Sequence, residues 1–559
     1  MNQSIDNSLF FKIIRDKYIR FNIRNYLFNF KIEISLKDLF NNQTLNHLIS
    51  FNIPLLLKVN QNEFLEYHKS FIKFINNKNN YINNLIQHIV FIDGFNEKIP
   101  IGFIGKQVKF VDLGDDFDQD LEIGTFPQDS ELEKLVFSYS FNRPIKDDLL
   151  PSGLKVCYFS RDFNQCLGEN TIPKSVTKLR LLEEMVEQKI TNNMLPPNLT
   201  FLKFSGTVDR DFKFPSTLTS LSLVSFTSRI TTNLFPSTLD TLRFLDVVWS
   251  SPLSKEILPS NLKHLYFEND YPYSLDILPD SLTSLDLGFH LNTEFQQPLP
   301  RNLKRLIFSL AYDKPLPYPL PSSLTYLEMQ NFKTCTFKPG FIPASVKTLV
   351  YCQSPSAPLT PGVIPEGVTS LTFPYSFNSL LQHGSIPSSV KHIEFKSIYS
   401  FSIEKDVIPS SVESFIIRIK DQELDISLPP ENTCSISFYF KANVPLYKPL
   451  LFGITHLDYI SNKEINSEYI PSSVTSITFR DYNIELKKGD IPNGVKELSL
   501  GTSFRKPIDP NTLPDSLTKL SLNKSIYFKF NENIPKSVKY LSLYVYHDHL
   551  IKIERMKLF

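Results

Sequence analysis

His547-Asp548-His549 places two imidazoles around a carboxylate, a donor set with which a zinc site can begin. No further ligand follows at zinc spacing, so an exposed terminal turn is the expectation there. Gly102-Phe103-Ile104-Gly105-Lys106-Gln107 approaches a phosphate loop. Pro100, however, stands in place of its first glycine, and Gln107 stands where a hydroxyl would hold magnesium. Asp116-Phe117-Asp118-Gln119-Asp120 has the alternating carboxylates that open a calcium loop, but Leu121 and Pro127 replace the turn glycine and the bidentate ligand. The paired carboxylates Glu183 and Glu184 have no acid–base context, and no Gly-x-Ser-x-Gly or His-Glu-x-x-His pattern occurs. These residues predict no catalytic site, no metal site and no cofactor, and the chain reads as non-enzymatic.

The element that positions every such residue is a repeat. A proline recurs at a period of about 21 residues from Pro151 to Pro535. Apolar residues follow it at the third, sixth and eighth positions, as in Pro173 with Val176, Leu179 and Leu181, and Pro535 with Val538, Leu541 and Leu543. Leu451 takes the proline's slot once, and degenerate copies open at Gly105 and Pro127. Proline fixes φ near −65° and lacks an N–H, which suits a turn start, and a Ser or Gly two residues later completes the turn. Positions six and eight enter the same side of a short strand. One unit cannot bury that stripe alone, whereas parallel stacking makes it a continuous ladder. So short a period leaves room on the return for extended or 3₁₀ segments and not for a helical layer. The expected fold class is an α/β solenoid: a leucine-rich-repeat-like parallel β solenoid of about 21 short repeats with a helical N-terminal cap.

The same arithmetic marks positions five, seven and nine as the outward strand face. In the repeats opening at Pro173 to Pro259 this face holds Lys178, Arg180, Lys203, Arg243 and His264, with Phe201 and Tyr266 beside them. Later repeats place Arg305, Tyr326, Glu328, Glu394, Arg418 and Asp458 there. Mixed aromatic and arginine surfaces favour protein interfaces. A concave protein-binding face centred on Lys178, Arg180, Phe201, Lys203, Arg243, His264 and Tyr266 is therefore expected, its basic cluster suited to an acidic partner or phosphates.

Lys+Arg 59 against Asp+Glu 58 leaves no global basic field, so no nucleic-acid partner is expected. Five scattered cysteines without CxxC spacing suit a reducing compartment. The start of the sequence shows no secretory signal, and no apolar run approaches the ~20 residues of a membrane span. A cytoplasmic or nuclear setting follows as the expectation. Residues 1–93 do not share the period. Apolar residues from Leu9 to Tyr26 recur at helical spacing among basic ones, and a second helical stretch, interrupted by the Asn-rich run Asn76-Asn77-Lys78-Asn79-Asn80, is expected over Leu65–Ile89. The expected domains are a helical module at 1–93, the repeats at 94–545 and a C-terminal cap at 546–559.

The third, sixth and eighth positions reproduce the L-x-x-L-x-L core of leucine-rich repeats. The Pro-x-Ser-Val/Leu opening, with Phe141-Asn142, Phe163-Asn164 and Phe377-Asn378 about a dozen residues after the proline, resembles the FNIP repeat of social amoebae and some large DNA viruses. Phe504, Tyr271, Tyr312 and Tyr399 keep the aromatic without the asparagine. The resemblance implies a protein-interaction scaffold whose partner and oligomeric state the residues do not name. It also implies an alternative, a substrate-recognition adaptor of a ubiquitin ligase with an F-box-like N-terminal module, although residues 1–93 lack the Leu-Pro opening of an F-box.

Overall fold

The computed structural model describes residues 32–41, 54–77, 81–92, 94–159, 162–181, 189–269, 271–332, 336–354, 356–419, 435–441, 450, 453–460, 462–523, 526, 531–544 and 550–554. The chain divides into two compact units, Met1–Asn269 and Asp270–Phe559, each built on a parallel β solenoid. The Leu9–Tyr26 helix, Glu183-Glu184, Leu451 and His547-Asp548-His549 lie outside the described residues.

In the first unit the strands of the main ladder are β1 (Ile32–Ser35), β2 (Leu55–Val59), β3 (Ile86–Phe91), β4 (Phe110–Asp112), β5 (Lys134–Val136), β6 (Val156–Tyr158) and β7 (Lys178–Leu181). A short pair, β8 (Lys189–Ile190) and β10 (Thr207–Val208), forms a second sheet on the return. Between them comes β9 (Phe201–Ser205), and then β11 (Ser220–Val224), β12 (Thr241–Leu245) and β13 (His264–Phe267) complete the ladder. In the second unit, parallel strands run from Ser284–Asp286 to Tyr540–Tyr544, and Leu550–Glu554 pairs antiparallel with the last of them.

The repeat works as local chemistry demands. The N–H at position three closes the turn onto the proline carbonyl, at 3.0 Å for Val176 to Pro173 and 3.1 Å for Leu218 to Pro215. Positions six stack in register as Leu179, Leu202, Leu221, Leu242 and Leu265. All five are completely buried, each contributing about 1.5–3 kcal/mol. The hydroxyl two residues after the proline does more than complete the turn. Ser175 Oγ donates to the Leu154 carbonyl at 2.7 Å, Ser411 to Val390 at 2.8 Å and Ser516 to Val495 at 2.6 Å, tying each repeat to the one before.

The Phe-Asn pair forms a second double ladder. Phe95, Phe117, Phe141 and Phe163 stack with successive ring centroids 6.1 Å apart. Beside them, the Asn96 side-chain oxygen accepts from the Asp118 N–H, Asp118 from Asn142, and Asn142 from Asn164, at 2.9–3.0 Å. Phe117 is buried, and Asp118 also holds Arg143, so the calcium-like segment belongs to this ladder. Gly105 likewise closes a repeat turn, accepting from Val108 at 3.1 Å.

Three expectations change. The helical stretch expected over Leu65–Ile89 does end at the Asn-rich run, as α2 (Gln61–Ile75), but beyond it come a short 3₁₀ turn at Tyr81–Leu85 and then strand β3 instead of more helix. Strands β1, β2 and β3 pair in parallel and pass directly into β4, so the ladder extends ahead of residue 94. Helices α1 (Leu36–Asn41) and α2 lie between these strands. Asn60 caps α2, accepting from Glu63 at 2.9 Å, and Phe64 and Phe71 pack on Phe95 and Phe103. Position nine is not uniformly outward: Ser138, Ser205, Ser309 and Cys352 are buried there, whereas Glu268 is exposed and Arg418 half-buried. Where the chain turns inward, the Ser138 and Ser309 hydroxyls donate to the carbonyls of Phe117 and Leu291.

Candidate functional site

The outward face of the first unit is set by register. Position five reads Lys178, Phe201, Ser220, Thr241 and His264 across β7, β9, β11, β12 and β13. Position seven, beginning one strand earlier on β6, reads Tyr158, Arg180, Lys203, Ser222, Arg243 and Tyr266. All seven residues expected from the sequence therefore stand on neighbouring strands, with the small Ser220 and Ser222 of β11 dividing them into two groups. Six of the seven are half-buried, and Lys178 is exposed.

The arginines are braced. The Arg180 guanidinium lies over the Tyr158 ring at 4.9 Å from its centroid, and that of Arg243 over Tyr266 at 4.7 Å. Both lean away from Lys203, each held by a cation–π contact that also limits its side-chain freedom. Lys134 extends the same pattern, 4.9 Å over Phe110 and 5.5 Å from Tyr158. Tyr158 was missed in the sequence reading, yet it is the seventh residue after Pro151 and the same counting finds it.

Among the described residues no carboxylate lies within ion-pair distance of Arg180, Lys203 or Arg243. Burial, and then the positive charge of Arg180, hold the Lys203 ammonium below the ordinary lysine range; Glu268 opposes this and Arg243 adds to it. Arg180 Nε and His264 Nδ1 are buried without a hydrogen-bond partner. Beneath the face, burial pushes the Cys157 thiol up, which leaves that sulfur a core residue and not a nucleophile.

No group of three or more His, Cys, Asp or Glu side chains among the described residues is placed to hold a metal ion. No described helix is long and apolar enough to cross a membrane. The arrangement offers preplaced positive charge and aromatic surface, which is recognition chemistry.

Comparison with known proteins agrees with the repeat. The FNIP Repeat family model matches residues 95–140, 141–183, 249–290, 356–397 and 482–525. The probable serine/threonine-protein kinase fnkE of Dictyostelium discoideum is 33% identical over 84 residues, which span 15% of this chain and 6% of that protein. The crystal structure of CroV588, a circular LRR protein, aligns over 81% of each chain at 23% identity with a TM-score of 0.50, a likeness of fold alone. YopM from Yersinia enterocolitica WA-314 aligns over 74% of this chain and 87% of its own at 16% identity, with a TM-score of 0.36. The turn proline, the stacked phenylalanines, the asparagine ladder and the five matched segments together show that this chain carries FNIP repeats.

Proposed function

We propose that this chain is a non-enzymatic protein-interaction scaffold and that the outward strand face of its first unit holds the partner. The observation that carries the reading is the row of cations Arg180, Lys203 and Arg243, the two arginines braced on tyrosines and none of the three within ion-pair distance of a described carboxylate. Exposed ion pairs contribute little to folding, but preplaced charges beside aromatic anchors suit an interface. Lys178, Phe201, His264 and Tyr266 extend the contact surface around them. The ubiquitin-ligase adaptor reading gains no support from residues 32–92, where β1, β2 and β3 extend the repeat ladder.

Proximity labelling in the native cell tests this. Arg180→Glu, Lys203→Glu and Arg243→Glu together should remove the labelled partners that the unaltered protein acquires. Lys146→Glu with Lys174→Glu, both exposed and off the strand face, should leave them in place. The same partner set after the triple reversal overturns the reading.

A further inference from the structure

The position-seven row of the first unit has a spacing that a partner must match. Arg180, Lys203 and Arg243 stand on β7, β9 and β12, with Ser222 of β11 between the last two. Neighbouring strands lie ~4.8 Å apart, so the backbone positions that carry the three cations lie at roughly 0, 5 and 14 Å along a line crossing the strands. The guanidiniums are drawn outward onto Tyr158 and Tyr266, and the small side chains of Ser220, Ser222 and Thr241 keep the sheet low between them.

An extended peptide puts alternate side chains on one side at intervals of roughly 6.6 Å, so three of them span about 13 Å. We infer that the occupant of this face is an extended acidic segment of a partner protein. It crosses the strands from β7 to β12 and meets Arg180, Lys203 and Arg243 with acidic side chains on every second residue. This rests on the protein-binding reading of the same face.

Two features favour a peptide over a single-stranded nucleic acid, whose phosphates are also regularly spaced. Base recognition without sequence preference uses open aromatic faces as stacking platforms. Here the Tyr158 and Tyr266 rings are covered by guanidiniums. The row is also short: on β4 and β5 position seven is Asp112 and Val136, so beyond β7 only Lys134, in the neighbouring position-five row, adds positive charge over β4 to β6.

The test is fluorescence polarisation with the full chain and three labelled probes. One is a seven-residue peptide alternating threonine and glutamate with three glutamates. The second has the same composition with the glutamates consecutive, and the third is hexathymidine. The alternating peptide should bind about 5-fold more tightly than its isomer, and Lys203→Gln should cost it at least about 5-fold. Raising the salt toward 1 M should weaken binding strongly, because the contacts are charges at the surface that salt screens. Equal binding of the isomers, tighter binding of hexathymidine or indifference to Lys203→Gln overturns the inference. Equal binding of the isomers alongside loss of cellular partners on face reversal removes only this register. Retention of those partners removes the protein-binding role of the face as well.

Discussion

The outward faces of the two units stand on the same backbone register but treat charge in opposite ways. In the first unit position seven carries Arg180, Lys203 and Arg243, with no carboxylate among the described residues within ion-pair distance of them. In the second it carries Asp286, Glu328, Glu394 and Asp458, and each has a partner at hand. Asp286 accepts from the Gly288 N–H at 3.0 Å, and Glu328 from the Tyr326 hydroxyl at 2.6 Å, with Arg305 3.7 Å over the Tyr326 ring. Burial and then Glu328 push the Tyr326 phenol up to about 12. Glu394 meets Arg418 at 3.5 Å, and Asp458 takes a forked bond from Arg480 at 2.6–2.9 Å. The buried sixth positions are the same beneath both faces, and of these side chains Asp286 alone also holds a turn. The faces therefore differ in charge above a common ladder: the carboxylates of the second are paired internally, while the three cations of the first have no described carboxylate at ion-pair distance.

That contrast requires the two ladders to be equivalent underneath. Leu242→Ala in the first unit and Leu371→Ala in the second should each cost ~2–5 kcal/mol, since both occupy the buried sixth position. Urea unfolding followed by hydrogen exchange in each unit measures this, and an effect confined to one unit would show that the units differ in more than their faces. Charge deletions should then separate them. Asp458→Asn breaks the fork with Arg480 and should destabilise the second unit by about 1 kcal/mol, reduced by the half-exposure of the arginine. Lys203→Gln removes a cation already disfavoured by burial and by Arg180, so the first unit should keep its stability or gain slightly. A comparable loss at both sites would erase the distinction between a self-paired and an unpaired face.

The ladder was legible in the sequence because its cause is local: a turn proline and three apolar positions recur with the same short return. Residues 55–91 hid their strands because α2 lengthens the return between β2 and β3 and removes the period. Ser175 read as a turn residue because its bond to Leu154 crosses a repeat, which no local pattern displays. Position nine read as outward throughout by continuing the strand alternation, which Glu268 and Arg418 keep while Ser205 and Cys352 turn in. At the face, counting placed all seven residues on adjacent strands. The bracing of Arg180 on Tyr158 needed the register of β6 against β7, a relation between repeats.

The smallest expected effect tests where the faces agree. Asp112 in the first unit and Asp286 in the second both occupy position seven and both accept from the glycine two residues on, Gly114 and Gly288, at 3.0 Å. Gly114 has φ +77°, and a Cβ there would lie 2.4 Å from the Phe91 carbonyl oxygen, so the turn needs both the glycine and an acceptor to hold it. Burial raises both carboxyls above their ordinary value, against the lowering effect of that N–H. Below the unfolded value of 3.8 the groups are protonated in both states and contribute no pH dependence. As pH rises, the unfolded chain ionises first, so each carboxylate costs stability, and the cost is complete above the raised folded value. Asparagine keeps the acceptor and cannot ionise. Asp112→Asn and Asp286→Asn should therefore each stabilise their unit at pH 7 by no more than about 0.5 kcal/mol, with the gain vanishing as pH falls toward 4. A gain independent of pH in thermal melts would mean that ionisation is not its source, and a gain in one unit alone would mean that the shared turn is not equally buried in both.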